Sequence, residues 1–375
     1  MNPINQHENS MNASPPVHLQ VVQHLCPGGI ETMALDLLRH AGRDESVFIV
    51  SLEGDHASAI EAWPVLRAVQ DRLLFMNKQP GWRPGLIARL SRWMRAHNVV
   101  SVHTHHIGPL IYAGLAARLA GIDYRIHTEH DAWHLNDRKR RWLQRAILGL
   151  VRPTLVADAL AVAASLRRHW PDLPIRTIHN GIDTERFTPG DHLAARARLA
   201  LPQGVQLIGC SGRLEAVKGQ GRLIDAMARL GNEIHLAIAG AGSCEQALRQ
   251  QVSALGLESR VHFLGRVDDM PNFYRAIDLF CLPSLHEGMP LSPLEAQACG
   301  VPALVTDVGG CNEAICPVSG QLVTDASPEA MASAIRRALE RALVVDPRQF
   351  VLEKRNVRLM TALYERLRKP ATIGV

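Results

Sequence analysis

No stretch of the 375-residue chain approaches the ~18 continuous apolar residues of a membrane span, so a helical membrane protein is not expected. Residues 1–16 are rich in Asn, Ser and Pro and have neither the basic start nor the apolar centre of a signal peptide. They are expected to form a flexible tail. The seven cysteines, Cys26, Cys210, Cys244, Cys281, Cys299, Cys311 and Cys316, are odd in number and contain no C-x-x-C pair. That argues against a disulfide framework or a zinc ribbon and fits a reducing cytoplasm. Asp-x-Asp, the short acidic motif that would suggest a divalent metal on a diphosphate, does not occur. Gly240-Ala241-Gly242 has Glu245 where a dinucleotide fingerprint needs its third glycine, which weakens an oxidoreductase reading. No zinc-finger or RNA-binding signature accompanies the formal net charge of +5. The charge is too small to argue for nucleic acid, and it is compatible with an anionic ligand or membrane surface.

What is present is an ordinary globular balance, 47% hydrophobic and 21% charged, in a length that suggests two domains. Short apolar runs at 18–24, 47–52, 99–103, 124–128 and 154–161 read as strands. Helical stretches at 31–40, 86–97 and 110–120 separate them. The pattern then restarts, with strands at 206–210, 234–239, 261–263, 279–282 and 303–306 and helices at 221–230 and 245–255. Strands alternating with helices predict an α/β protein with parallel, doubly wound sheets. The expected division is a first domain over 17–185, a second over 186–349 and a final helical segment over 350–375. That last helix, 350–368, has apolar positions at Val351, Leu359, Leu363 and Leu367. In open α/β sheets ligands bind at the carboxyl ends of the strands, so two such domains facing each other would make a cleft.

Several motifs fall at those ends. Gly28 and Gly29 follow the first strand and open a helix, where close backbone approach and free N–H groups suit an anion; a plain tight turn is the other reading. Arg213 and Lys218, five residues apart after the first strand of the second domain, can converge on a diphosphate. The run His286-Glu287-Gly288-Met289-Pro290-Leu291-Ser292-Pro293-Leu294-Glu295 sets two carboxylates eight positions apart across a helix start. N–H groups near Met289 to Leu291 can receive a phosphate while Glu287 and Glu295 reach hydroxyls. Ser292 to Glu295 also fits a capping box, which would make Glu295 structural. Histidines cluster at 103–106 and 127–130 on the ligand edge of the first domain, where they can donate hydrogen bonds or relay protons. Metal binding is the rival reading there, but the spacing of this His/Glu/Asp set is not convincing for it.

Taken together, these residues resemble glycosyltransferase family 4 of the GT-B fold. The resemblance also takes in His179-Asn180-Gly181-Ile182-Asp183 and Phe263-Leu264-Gly265, and it covers nearly all of the chain after the tail. It implies two Rossmann-like domains across a cleft, with the last helix crossing back to the first domain. Arg213 and Lys218 would then neutralise the donor diphosphate, and Glu295 would hold the ribose. Glu287 would contact the donor sugar, with the backbone of Gly288, Met289, Pro290 and Leu291 around sugar and phosphate. Arg266 and Val267 would meet the nucleobase. His130 falls where the family places a His near the reacting face of the sugar. The implied activity is retaining, metal-independent transfer of a hexose from UDP or GDP to a glycan or lipid-linked saccharide, with no cofactor. No carboxylate stands out as a nucleophile, which favours a front-face path over double displacement.

A narrower resemblance, carried by residues 77–81, 125–130 and 140–143, is to sugar transferases of bacterial exopolysaccharide systems. It suggests a cytoplasmic enzyme at the inner face of the plasma membrane. Arg138, Lys139, Arg140, Arg141 and Trp142 could meet anionic lipid there, or could be the solvated face of a surface helix. A nucleotide-sugar epimerase of the same fold and an inactive sugar-nucleotide-binding subunit are the alternatives. Donor turnover with and without a glycan acceptor separates the three.

Overall fold

The computed structural model describes residues 15–368, so all but the last two residues of the expected tail lie outside the described chain. Strands β1 (Val17–Val22), β2 (Ser46–Ser51), β3 (Leu73–Phe75), β4 (Val99–His105), β5 (Tyr124–Glu129), β6 (Thr154–Ala157) and β7 (Ile175–Thr177) form one sheet. Its order is β3-β2-β1-β4-β5-β6-β7. Strands β8 (Gln206–Ser211), β9 (Ile234–Ala239), β10 (Val261–Gly265), β11 (Leu279–Leu282), β12 (Ala303–Thr306) and β13 (Gln321–Val323) form a second, parallel throughout, in the order β10-β9-β8-β11-β12-β13. In both sheets the order reverses beside the first strand, as in doubly wound folds, so crevices open between β1 and β4 and between β8 and β11.

The described residues pack into two compact units, 15–127 with 146–153, and 128–145 with 154–368. In the first unit, alternation along β1 supplies two faces. Leu19 and Val21 pack with Leu86, Leu90 and Met94 of helix Pro84–Ala96. Val22 packs with Ala34, Leu35 and Leu38 of helix Gly29–Arg39. In the second unit, Ile208 and Cys210 of β8 and Leu236 and Ile238 of β9 pack against Leu223, Ile224 and Met227 of helix Gln220–Met227. Helix Pro328–Glu340 adds Met331 and Ile335 to this core. It starts where its sequence says it should, with the Ser327 hydroxyl accepting from the Ala330 N–H at 3.3 Å and Pro328 at the first helical position.

Two expectations are corrected. The strand expected over 154–161 stops at Ala157, and helix Leu160–His169 has begun by Leu160. The single helix expected over 350–368 is two helices, Pro347–Lys354 and Val357–Leu367. Between them the backbone leaves helical geometry to bridge Ile182. The Ile182 N–H donates to Arg355 O at 2.7 Å, and the Val357 N–H donates to Ile182 O at 2.9 Å. Asn356 then caps the second helix, accepting from the Arg358 N–H at 2.8 Å. Local periodicity carries no sign of this, because the competing partner lies far away in sequence.

His235 of β9 and His262 of β10 stack, with ring planes 12° apart and Nδ1 to Nε2 at 3.0 Å. One ring must donate and the other accept, so at least the accepting imidazole is neutral. Burial lowers both pKa values, and nearby Arg260 lowers that of His235 further. The unfolded chain therefore takes up protons first as pH falls, and the stability this pair contributes, complete above about pH 6.5, is lost on acidification. The His262→Gln variant is expected to lose less Tm than the unaltered protein between about pH 7.5 and about pH 5.5. An equal loss in scanning calorimetry would remove the pair from the pH response.

Candidate active site

The candidate residues of the second sheet gather where its strand order reverses. Arg213 to Lys218 leave the end of β8, and Ser284 to Leu291 leave the end of neighbouring β11. The two loops are drawn together by backbone. The Leu285 N–H donates to Val217 O at 2.8 Å, and Gly219, at φ 67°, lies so close that a Cβ there would stand 2.2 Å from the Pro283 carbonyl oxygen. Only glycine fits both the left-handed conformation and the approach. The loop's other end is tied by the Gln220 amide, which donates to Arg213 O at 2.9 Å.

Within this frame Lys218 Nζ is 2.6 Å from Glu287 Oε1, and the Ser284 hydroxyl donates to the same oxygen at 2.7 Å. Glu287 is largely buried, so the ammonium and hydroxyl supply what water cannot. The guanidinium of Arg213 is on the exposed side of its loop. Lys218 and Glu287, expected to serve diphosphate and sugar respectively, are thus partners of one another.

Glu295 is not part of a capping box. Helix Ser292–Ala298 has Leu291 at its cap position and no side-chain cap bond, and Glu295 sits one position beyond where such a box would need it. Its carboxylate instead accepts from the hydroxyl of fully buried Tyr274 at 2.6 Å, and that hydroxyl lies 3.1 Å from Ser211 Oγ at the end of β8. Desolvation pushes the Glu295 carboxyl above its ordinary range, against the lowering pull of Tyr274 and Arg186. Burial, reinforced by Glu295, raises the Tyr274 phenol far above its own, so this hydroxyl stays a donor. The backbone from Gly288 to Leu291 passes between the two glutamates, and the N–H groups at the following helix start have no intrahelical acceptor. Arg266 and Val267 follow β10 on the same sheet edge, with the Arg266 Nε donating to exposed Asp268 at 3.1 Å.

His130 follows β5 and lies in the same unit. A Cβ on Gly288 would stand 1.6 Å from the His130 carbonyl oxygen, so the two backbones are in direct contact. His130 Nδ1 is 3.2 Å from Asp158 Oδ2. The Asn180 amide reaches the same Asp158 oxygen at 3.3 Å and Met289 O at 3.0 Å. Desolvation raises the pKa of buried Asp158, opposed by His130 and Asn180. A carboxylate on Nδ1 fixes the ring plane and the role of Nε2, as in His–Asp dyads. Sequence patterning does not single out Asp158, because the strand expected over 154–161 runs through it. The available signal was a lone carboxylate inside the apolar run Leu155 to Ala164, which burial permits only with a partner.

Gly28 and Gly29 belong to the other unit, and Gly28 is the N-cap of helix Gly29–Arg39. A Cβ on Gly28 would meet Glu31 Oε2 at 2.3 Å, so the chain's own carboxylate lies over that helix start. His103, Thr104, His105 and His127 are buried in the same unit, with His105 Nε2 3.0 Å from Gln20 Oε1 and His127 Nδ1 2.9 Å from Thr104 Oγ1. Among the described residues no group of three or more His, Cys, Asp or Glu is arranged to hold a metal.

Residues 27–186 match the family model described as Glycosyltransferase Family 4, and residues 191–355 match that of Glycosyl transferases group 1. A curated relative, the lipopolysaccharide core biosynthesis mannosyltransferase LpsB of Rhizobium meliloti, is 35% identical over 42% of this chain and 48% of its own length. The chain thus spans about half of that protein. The putative glycosyltransferase EpsF of Bacillus subtilis is 27% identical over 79% of this chain and 80% of its own. Among solved structures, Anabaena HepE in complex with UDP and glucose superposes with a TM-score of 0.82 at 21% identity, over 94% of this chain and 98% of that one. This is a likeness of fold, and the fold is GT-B.

Tyr274→Phe removes the hydroxyl that bonds buried Glu295 and Ser211 without otherwise altering shape. It is expected to destabilise the protein by about 1.5–3 kcal/mol in urea titration; unchanged stability would mean that Glu295 does not depend on Tyr274.

Proposed function

The chain belongs to the family-4, group-1 glycosyltransferases, and from that premise we propose that it transfers a hexose, with retention of anomeric configuration, from UDP or GDP to a glycan or lipid-linked saccharide in bacterial surface-glycan synthesis. The observation that carries this reading is the convergence of Arg213, Lys218, Glu287 and Glu295 on the ends of β8 and β11 at a topological switch point. Two cations are available to a diphosphate there, and one carboxylate precedes and the other lies within the first turn of a helix whose start can receive phosphate. The kinship with LpsB and EpsF, and the UDP and glucose of HepE, agree with a nucleotide-linked hexose.

In this mechanism the donor diphosphate takes Arg213 and Lys218, so Lys218 exchanges part of its bond to Glu287 for phosphate oxygen. Released from that bond, Glu287 turns to hydroxyls of the donor sugar, while Glu295, aimed by Tyr274, holds the ribose. Arg266 and Val267 border the base. The acceptor oxygen bonds to the anomeric carbon on the face from which the phosphate oxygen departs. The departing phosphate takes the acceptor proton, and His130, oriented by Asp158, hydrogen-bonds the reacting sugar. Positive charge and helix-start N–H groups stabilise the leaving diphosphate, so the reading requires neither a metal nor a cofactor.

The basic helix supports a location at an anionic membrane face. Arg138, Lys139 and Arg140 are exposed, Trp142 is 78% exposed and Leu143 adjoins it. Arg141 is spent inward, donating to Leu135 O at 3.2 Å. Three cations at about 1 kcal/mol each amount to roughly a hundredfold in partitioning. Replacing Arg138, Lys139, Arg140 and Trp142 together by Ala should reduce co-sedimentation with phosphatidylglycerol vesicles by about that factor; equal partitioning would end the membrane proposal.

Glu287→Ala is expected to abolish sugar transfer while the fold persists, and wild-type rates would defeat the sugar-site assignment. Arg213→Ala and Lys218→Ala should weaken nucleoside diphosphate binding in a thermal-shift assay run in EDTA. Unchanged shifts in both would remove them from the diphosphate site.

A further inference from the structure

Residues 76–83, between β3 and helix Pro84–Ala96, have no role in the donor reading, yet they are fixed in place like a binding element. Asn77 and Gly81 both have positive φ, 46° and 87°. The Gln79 amide donates to Asn77 Oδ1 at 3.2 Å, and Arg83 Nε donates to Pro80 O at 3.2 Å. The Tyr112 hydroxyl accepts from the Arg83 N–H at 3.0 Å and donates to Gly81 O at 3.4 Å. Arg89 donates to Met76 O at 2.5 Å. The turn so clamped presents Trp82, whose indole lies 5.5 Å from the Tyr112 ring and is 61% exposed. The clamped turn thus sets an exposed indole beside a second aromatic ring, a face on which an apolar surface of a ligand can stack.

The same Tyr112 ring also borders a polar group. Lys78 Nζ lies 5.5 Å from the Tyr112 ring centroid and ends 2.9 Å from Glu53 Oε1. Gln23 Nε2 donates to the same oxygen at 2.5 Å, and His24 Nε2 stands 3.5 Å from the other, Oε2. Burial opposes ionisation of Glu53, but Lys78, His24 and Gln23 together hold its carboxyl below the ordinary value. Gln23 and His24 follow β1, Glu53 follows β2 and Lys78 follows β3, so all stand at the carboxyl ends of three adjacent strands. A lipid surface would have to desolvate the Glu53 carboxylate to reach Trp82. A pyranose offers what both halves need, an apolar C–H face for the indole and hydroxyls for a carboxylate and an imidazole.

We propose that Trp82, Glu53 and His24 form the platform that holds a sugar residue of the acceptor, Trp82 taking the apolar face of a pyranose ring and Glu53 with His24 its hydroxyls. This rests on the transferase reading. Lys78 and Tyr112 are positioning residues, one keeping Glu53 charged and the other holding the Trp82 turn.

The test is saturation-transfer NMR on the full chain, with the methyl glycosides of glucose, galactose, mannose and N-acetylglucosamine as probes and UDP and GDP as separate reporters of the donor site. At least one glycoside is expected to bind, with saturation strongest on its ring C–H protons. Trp82→Ala should weaken that binding roughly tenfold or more, His24→Ala less, and Trp82→Phe should restore most of it. Both positions are exposed, so the variants keep the fold, and nucleotide signals should be unchanged in all three. Absence of binding by every glycoside, or equal binding by Trp82→Ala, overturns the platform. Loss of the nucleotide signals in the unaltered protein strikes the donor reading instead, and leaves the platform to be judged on the glycoside signals alone.

Discussion

The arrangement at the ends of the second sheet depends on how closely the loop after β8 approaches the loop after β11. At Gly219 the gap is too small for a methyl group, and this contact sets Lys218 against Glu287 at 2.6 Å. A larger residue at 219 would have to push the β11 loop away, taking Ser284, Glu287 and the Gly288–Leu291 backbone with it. Glycine meets both demands of this position, the left-handed backbone and the close approach, without strain. The ion pair is a consequence of that geometry. It gives a mostly buried carboxylate a partner and a defined orientation, and phosphate can compete for that partner.

A second layer of the site acts through groups that touch none of the expected ligand atoms. Tyr274 aims Glu295 from a fully buried position, and Asp158 aims His130. In both, the aligning group is itself held by another polar residue, Ser211 for Tyr274 and Asn180 for Asp158. Chains of this kind restrict the rotamers of the functional side chains, which is the requirement for holding reacting groups within a fraction of an ångström. Asn180 also donates to Met289 O, so the His130 network and the loop carrying Glu287 share a residue.

Much of the architecture was legible in the sequence because it rests on local rules. The strands at 234–239, 279–282 and 303–306 were bounded by their own apolar runs and flanking turns, and the structure has them there. What could not be read was decided at a distance. The break at Arg355 and Asn356 comes from Ile182, and short edge strands such as β3, β7 and β13 owe their pairing to neighbours rather than to their three residues. The same division holds at the site. Arg213, Lys218 and the Glu287–Glu295 spacing were visible as motifs, whereas Asp158 and Tyr274 act through contacts with residues 28 and 21 positions away.

The starts of helices Leu160–His169 and Ser292–Ala298 differ in how their N–H groups are met. Glu313 directs its carboxylate at the opening of helix Leu160–His169, accepting from the Leu160 and Ala161 N–H groups at 2.7 and 2.9 Å and pairing with His179 Nε2 at 2.7 Å. That start is neutralised from within the chain, and His179 and the two N–H groups hold the Glu313 carboxyl low despite its burial. Helix Ser292–Ala298 is treated differently. Its cap position is Leu291, which has no side-chain acceptor, and the nearest acidic residue in its first turns, Glu295, is drawn to Tyr274. The N–H groups at this start are thus left without a side-chain acceptor from the chain's own cap, which is the arrangement the proposed phosphate contact requires.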